Sequence, residues 1–210
     1  MARGLFITFE GGEGAGKSTQ VDRLVPRLAT LGREVVRTRE PGGSLGAEAI
    51  RGLLVAGETD RWSPIAETLL MYAARRDHIE RVILPALERG ATVVCDRFAD
   101  STRAYQGVAG GAPAGLIEAL ERHVLDGAWP DLTIVLDLPV ETGLARAAAR
   151  ASVENRFEAK GLDFHRRLRE AFLAIARTEP DRCVAVDGAR APDAVAAAVW
   201  AAVSERLGRA

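Results

Sequence analysis

Lysine, cysteine, histidine and long apolar runs are all scarce in this chain of 210 residues. The two cysteines, Cys95 and Cys183, lie inside apolar strand-like runs. That placement favours buried, reduced thiols over a disulfide framework or a thiolate metal site. The three histidines, His78, His123 and His165, are scattered without metal-site spacing, so surface or helix-packing roles are expected of them. No apolar segment approaches the ~20 residues of a membrane span. With 28 Lys+Arg against 29 Asp+Glu the formal net charge is -1, which lacks the basic excess of a dedicated nucleic-acid binder. The start, Met1 to Leu5, runs straight into a strand-like stretch and leaves no room for a signal peptide. The expected compartment is the cytoplasm. Neither a repeat nor a linker interrupts the chain, and its length suits a single domain over 1–210.

Lysine is the most telling scarcity: Lys17 and Lys160 stand alone among the arginines. Genome base composition accounts for a general arginine preference. It does not account for a lysine at the end of Gly11-Gly12-Glu13-Gly14-Ala15-Gly16-Lys17-Ser18. This stretch follows the apolar run Leu5-Phe6-Ile7-Thr8-Phe9 and precedes a helical pattern. It has the spacing of a phosphate-binding loop, Gly, four free positions, then Gly-Lys-Ser/Thr. Glycines let the backbone turn tightly and aim its N–H groups at a phosphate chain. A compact ammonium fits where a planar guanidinium is too large. Ser18 supplies a hydroxyl for Mg²⁺, and the positive end of the following helix favours the same anion. The expected ligand is a nucleoside triphosphate.

Strand-like and helical stretches alternate along the chain, which predicts an α/β fold: a five-stranded parallel sheet with helices on both faces. Strands are expected at Leu5–Phe9, Glu34–Thr38, Ala91–Cys95, Leu132–Leu136 and Cys183–Val186. Helices are expected over Lys17–Leu31, Gly46–Val55, Pro64–Arg89, a stretch ending at Leu125, Val140–Ala151, Phe164–Arg177 and Pro192–Leu207. Pro26 and Pro85 predict a kink and a bend. A glycine-rich link is expected from Gly107 to Gly115.

Ligands of such sheets bind beyond the carboxyl ends of the strands. Charged residues follow every expected strand: Glu10, then Arg39-Glu40, Asp96-Arg97, Asp137 and Asp187. Asp96 has the position of an acidic partner for Mg²⁺, with a turn cap as the alternative. Arg97 suits a bidentate phosphate clamp, with a buried ion pair as the competing account. The polar segment holding Arg150, Asn155, Arg156, Glu158, Lys160 and Gly161 has no apolar period. A solvated loop is its default reading. Phosphoryl transfer needs cations brought to the equatorial oxygens, so a mobile lid over 150–161 is the functional one.

Together these residues resemble the bacterial type of thymidylate kinase, along essentially the whole chain. Phe9 to Thr19 is similar to that family's phosphate loop, and Arg39-Glu40-Pro41-Gly42-Gly43 to the loop that separates it from other nucleoside monophosphate kinases. Asp96-Arg97-Phe98, Ser101 and Tyr105-Gln106-Gly107 are similar to its acceptor-binding segment. The resemblance implies a P-loop nucleoside monophosphate kinase fold with a mobile lid, a homodimer, and transfer of the γ-phosphoryl of ATP to dTMP with Mg²⁺, on the route to dTTP for DNA synthesis. It implies catalytic roles for Lys17, Arg97, Glu13, Arg150 and Arg156. The donor would lie on Gly11, Gly12, Glu13, Gly14, Ala15, Gly16, Lys17, Ser18 and Thr19, with Arg150 near adenine and Arg156 reaching the phosphates. Ser18 and Asp96 would hold Mg²⁺. Glu13 would meet the sugar 3′-hydroxyl, Arg75 and Arg97 would hold the acceptor phosphate and position the base, and Tyr105 would pack against the deoxyribose. Glu40, Pro41, Arg51, Ser101, Thr102 and Gln106 would complete the acceptor pocket.

Two departures from the family stand out. Met71 occupies a position where relatives often place phenylalanine, and a thioether gives a less rigid surface for a base; Tyr72 would compensate only if the helix rotated. The loop also lacks the arginine that some relatives carry, which shifts the expected catalytic charge to Arg150 and Arg156. Other acceptors on the same scaffold, and a nucleotide-dependent switch without turnover, are the alternative readings.

Overall fold

The first strand is buried on both faces, as a strand sandwiched between helices must be. The computed structural model describes residues 3–149 and 156–208. Along them run β1 (Phe6–Glu10), α1 (Lys17–Ala29), β2 (Val35–Arg39), α2 (Leu45–Leu54), α3 (Pro64–His78), α4 (Leu84–Glu88), β3 (Thr92–Asp96), α5 (Ala99–Thr102), α6 (Ala114–Leu120), β4 (Leu132–Asp137), α7 (Val140–Ala148), α8 (Leu162–Thr178), β5 (Cys183–Asp187) and α9 (Pro192–Leu207). The strands form one parallel sheet in the order β2-β3-β1-β4-β5, as the alternation predicts.

Strand periodicity sorts the core into two faces. Ile7, Phe9, Val94, Ile134 and Leu136 pack with Val21, Leu24 and Leu28 of α1 and Val195, Val199 and Val203 of α9. Phe6, Val93 and Cys95 face the other way, onto Ile79, Ile83 and Leu87. Val135 joins Leu168 and Phe172 of α8 there. Burying each such side chain stabilises the fold by about 1.5–3 kcal/mol relative to leaving it exposed. Cys95 and Cys183 are buried free thiols, in keeping with their apolar surroundings.

Helix starts follow local chemistry. The Ser44 and Ser63 hydroxyls accept from Ala47 N and Ala66 N, capping α2 and α3, and Pro64 takes the first helical position, where it has no N–H to waste. The bend expected at Pro85 is instead a π-helical turn, Ile79–Ile83, joining α3 to α4. A wider turn absorbs both the missing N–H and the clash of the proline ring with the preceding turn. Pro26 stays inside α1. Gly107 belongs to a second π-helical segment, Arg103–Ala109, so the glycine-rich link is shorter than expected. A third, Glu121–Leu125, extends α6. No helix among the described residues is long and apolar enough to cross a membrane.

Candidate functional site

The loop after β1 turns through Gly11, Gly14 and Gly16 at φ 133°, 65° and 92°, values that residues with a Cβ rarely adopt. It is pressed against the start of α7. A Cβ on Gly14 would lie 2.0 Å from the Gly143 carbonyl oxygen, and one on Gly143 would lie 2.4 Å from that of Glu13. Glycine at both positions therefore sets how closely loop and helix approach. Lys17 opens α1 with its Nζ donating to the Gly11 and Gly12 carbonyls at 3.0 and 2.8 Å. Burial, then the nearby Arg97, lowers its pKa to about 8.

Strand alternation directs Asp96 to the α1 side of the sheet, where its carboxylate accepts from the Ser18 hydroxyl at 2.7 Å. The next residue, Arg97, has φ 71°. That turn is held by the Arg97 N–H on the Phe9 carbonyl and the Cys95 thiol on the Arg97 carbonyl. The guanidinium consequently also reaches the loop, donating to Gly11 O at 3.0 Å, to Ser101 Oγ at 3.3 Å and to Glu13 at 3.2 Å. Glu13 accepts in addition from the Tyr105 hydroxyl at 2.6 Å. Burial raises the Glu13 pKa, but Arg97 and Lys17, followed by the Tyr105 hydrogen bond, outweigh it and leave the value lowered to about 2.

Behind this group lies a carboxylate that the sequence pattern did not single out as a ligand. Glu10 is fully buried and accepts from Phe98 N–H and the Ser101 hydroxyl at 2.7 and 2.5 Å. It fixes the turn that carries Arg97. Burial, then Asp100, pushes its pKa up to about 7.

A second chain of buried polar groups supports Arg75 on α3. Glu40 accepts from Arg75 Nε at 2.8 Å and pairs with His78 Nδ1 at 3.0 Å, while His78 Nε2 meets Thr38 Oγ1 at 2.7 Å. Arg75 Nη2 donates to the Phe98 carbonyl and to Thr102 Oγ1. Its Nη1 has no partner among the described residues, although the side chain is buried. An unmatched guanidinium nitrogen is costly, and Arg75 is among the residues that line a cavity of about 410 Å³. That volume falls in the range of small-molecule sites.

The cavity brings together most of the expected residues: Glu13 to Ser18 on one side, and Glu40, Pro41, Arg51, Met71, Arg75, Arg97, Ser101, Thr102, Tyr105 and Gln106 on the other, with Asp96 between. Arg51 donates to the Pro41 carbonyl at 2.7 Å, tying α2 to that loop. Met71 lines the cavity, whereas Tyr72 turns away, its hydroxyl on Glu121. The side chain that faces the cavity at this point is therefore the thioether. Gly11 and Gly12 border a smaller recess behind the loop, and Thr19 is exposed on α1. Asp137 and Asp187 do not line the cavity; one pairs with Arg169 and the other caps a turn through Ala189 N.

Arg156 requires a correction. It was expected over the phosphates, but it is 1% exposed and held by Glu67 at 2.5 Å and by the carbonyls of Leu54, Glu58 and Thr59. A guanidinium with four matched acceptors has no reason to leave them for a site already bearing Lys17 and Arg97. Arg150 lies outside the described residues. Breaking the buried pair leaves Glu67 uncompensated, so Arg156→Ala is expected to cost about 3 kcal/mol of stability. Urea unfolding measures this, and a midpoint equal to that of the unaltered protein would return Arg156 to a phosphate role.

The histidines divide between the two roles expected of them, helix packing and surface. His78 and His165 are buried and only His123 is exposed. Sequence reasoning named Glu10 only as a strand-end charge and His78 only as a surface or packing residue, and it did not name Glu67. Positions 67, 71, 75 and 78 share one face of α3 by spacing, but only the structure shows that all four are buried although three are ionisable.

Comparison with known proteins gives a consistent result. The family model described as thymidylate kinase matches residues 9–199. A thymidylate kinase of Caulobacter vibrioides is 66% identical over 208 residues, spanning 99% of this chain and 100% of that protein. One from Bradyrhizobium diazoefficiens is 55% identical over 98% of this chain and 91% of its own length. A crystal structure of thymidylate kinase from Ehrlichia chaffeensis superposes with a TM-score of 0.72 at 35% identity, covering 88% of this chain and 93% of that one.

Proposed function

The chain belongs to the thymidylate kinase family, and on that premise we propose which of its residues carry each half of the reaction. It phosphorylates dTMP to dTDP with ATP as the phosphoryl donor. The transition state of such a transfer is loose and spreads charge over three oxygens, so catalysis is positioning and electrostatic stabilisation.

On the donor side, the N–H groups of Gly11 to Ser18 and the Lys17 ammonium hold the ATP phosphates. Mg²⁺ fits the neighbouring donor set, a hydroxyl and a carboxylate oxygen 2.7 Å apart on Ser18 and Asp96, both hard oxygen ligands. When bound, the ion neutralises charge on the transferring and leaving oxygens.

On the acceptor side, the single observation that carries the reading is Arg75, a buried arginine lining the cavity whose Nη1 has no partner among the described residues. A bound acceptor phosphate supplies its missing partner. Arg97 shares that phosphate, and Glu13, ionised at neutral pH, accepts from the sugar hydroxyl. Tyr105 packs on the deoxyribose and Met71 on the base, while Glu40, Pro41, Arg51, Ser101 and Thr102 shape the pocket. The attacking oxygen needs no general base, because a phosphate monoester with a second pKa of about 6 is already largely a dianion at pH 7. Phe157 and Glu158 also border the cavity, which supports reading 150–161 as the closing lid, with Arg156 as its anchor and Arg150 as its contribution to the phosphates. One kinase domain over 1–210, a homodimer and a cytoplasmic location belong to the same proposal; solution mass and cell fractionation decide the last two.

Steady-state assays with ATP, Mg²⁺ and a nucleotide panel test the acceptor side. The expected kcat/KM for dTMP exceeds that for thymidine by about 10³-fold or more, because a site built to pair with a group rejects the analogue lacking it. Comparable rates with thymidine would remove Arg75 and Arg97 from the acceptor phosphate.

A further inference from the structure

Glu67 faces Gln106 with one carboxylate oxygen and Arg156 with the other. Gln106 Nε2 donates to Glu67 Oε1 at 2.9 Å, and Arg156 Nη1 lies 2.5 Å from Glu67 Oε2. All three side chains are buried, and Gln106 lines the cavity together with Tyr105 and Met71. An ionised carboxylate accepts hydrogen bonds and donates none. The Gln106 amide therefore has one orientation open to it, with its NH₂ toward Glu67. Its carbonyl oxygen is the polar atom left for a ligand.

We propose that Glu67 is a positioning residue that sets base selectivity, by locking Gln106 to present an acceptor to the nucleobase. This rests on the acceptor-pocket reading above. Thymine carries an N–H at ring position 3 and meets that acceptor with a donor. Cytosine carries a lone pair at the same ring position, so two acceptors would oppose each other in a buried site. Uracil shares the thymine pattern, so this device separates imide bases from cytosine and not thymine from uracil. Arg156 completes the arrangement by compensating the buried charge of the carboxylate, which leaves both Glu67 oxygens as acceptors.

Glu67→Gln turns the logic around without changing shape. Arg156 is a donor only and claims the carbonyl oxygen of the new side chain. That side chain then offers its NH₂ to Gln106, which must answer with its own carbonyl and point its NH₂ into the cavity. The expected result in steady-state assays is a dTMP-to-dCMP ratio of kcat/KM lowered by about tenfold or more, since wrongly matched polar groups are what such a site rejects. Glu67→Asp keeps acceptor-only chemistry, so it is expected to hold the ratio within about threefold even where the rate falls. Equal losses on both nucleotides in Glu67→Gln would reduce Glu67 to packing and overturn the inference. Should that variant not fold, a neutron structure of the unaltered protein with dTMP decides instead, because it tells the amide nitrogen from the oxygen: Gln106 Oε1 at hydrogen-bonding distance from the base N–H supports the inference, and Nε2 there overturns it. Gln106→Leu separates the two levels. A dTMP KM unchanged by Gln106→Leu refutes the pocket reading itself, whereas a raised KM beside a Glu67→Gln ratio that does not move refutes only the role of Glu67.

Discussion

Lys17→Ala lowers kcat/KM by about 10³-fold or more, a loss of roughly 4 kcal/mol of transition-state stabilisation. The Lys17 Nζ is the one lysine ammonium in the loop, and its two present partners are the loop's own carbonyls, Gly11 and Gly12. A triphosphate replaces those weak acceptors with charged oxygens, and the interaction strengthens as charge moves toward the bridging position. The fold should not suffer. The loop's path is set by the positive φ of its glycines and by the Gly14–Gly143 approach, neither of which involves the lysine side chain. Thermal unfolding should therefore stay close to that of the unaltered protein while activity collapses. Lys17→Arg should fail to restore the rate, because a planar fork does not fit a space shaped for a compact ammonium. A loss below tenfold in Lys17→Ala would mean that backbone N–H groups alone hold the phosphates.

Arg97→Ala is expected to separate the two substrates. The KM for dTMP should rise by about 10²-fold or more, the cost of removing one partner of a buried charged contact. ATP affinity, read by calorimetry, should change by about threefold or less, since the loop and Lys17 remain. Arginine at 97 touches Gly11 O, Ser101 and Glu13, so some rearrangement follows its removal. Glu13 nevertheless keeps the Tyr105 hydroxyl and the field of Lys17. Equal losses of ATP and dTMP affinity would place Arg97 in general loop architecture.

What was readable in advance follows from how local each determinant is. Glycines at Gly11, Gly14 and Gly16 act within the loop itself, and the apolar strands show their burial residue by residue, so the sheet and the tight path of the loop were legible. The acceptor side was reached through resemblance more than through pattern. Arg75 pairs with Glu40 and His78 with the same carboxylate, partners 35 and 38 positions away in sequence. Nothing in the α3 stretch alone says that its charged face turns inward. Arg156 misled for the same reason. A charged segment with no apolar period reads as solvated or catalytic, and the carbonyl that accepts from its Nε is 98 positions away, at Glu58. Pro85 was correctly read as a disturbance, but the choice between bend and π-helical turn depends on how Ile79 and Ile83 pack beneath the sheet.

The positive φ at Arg97 has one further consequence. In a regular strand, neighbours point to opposite faces; here Asp96 and Arg97 both come to the same loop. The proposed donor-side ligand and the proposed acceptor-side clamp are then separated by a single peptide unit, at the end of a strand hydrogen-bonded on both sides. No hinge lies between them. Whatever closes over the nucleotides has to travel toward this fixed pair. The span across which the phosphoryl group passes is thus insulated from changes in helices and loops that alter which nucleotide enters.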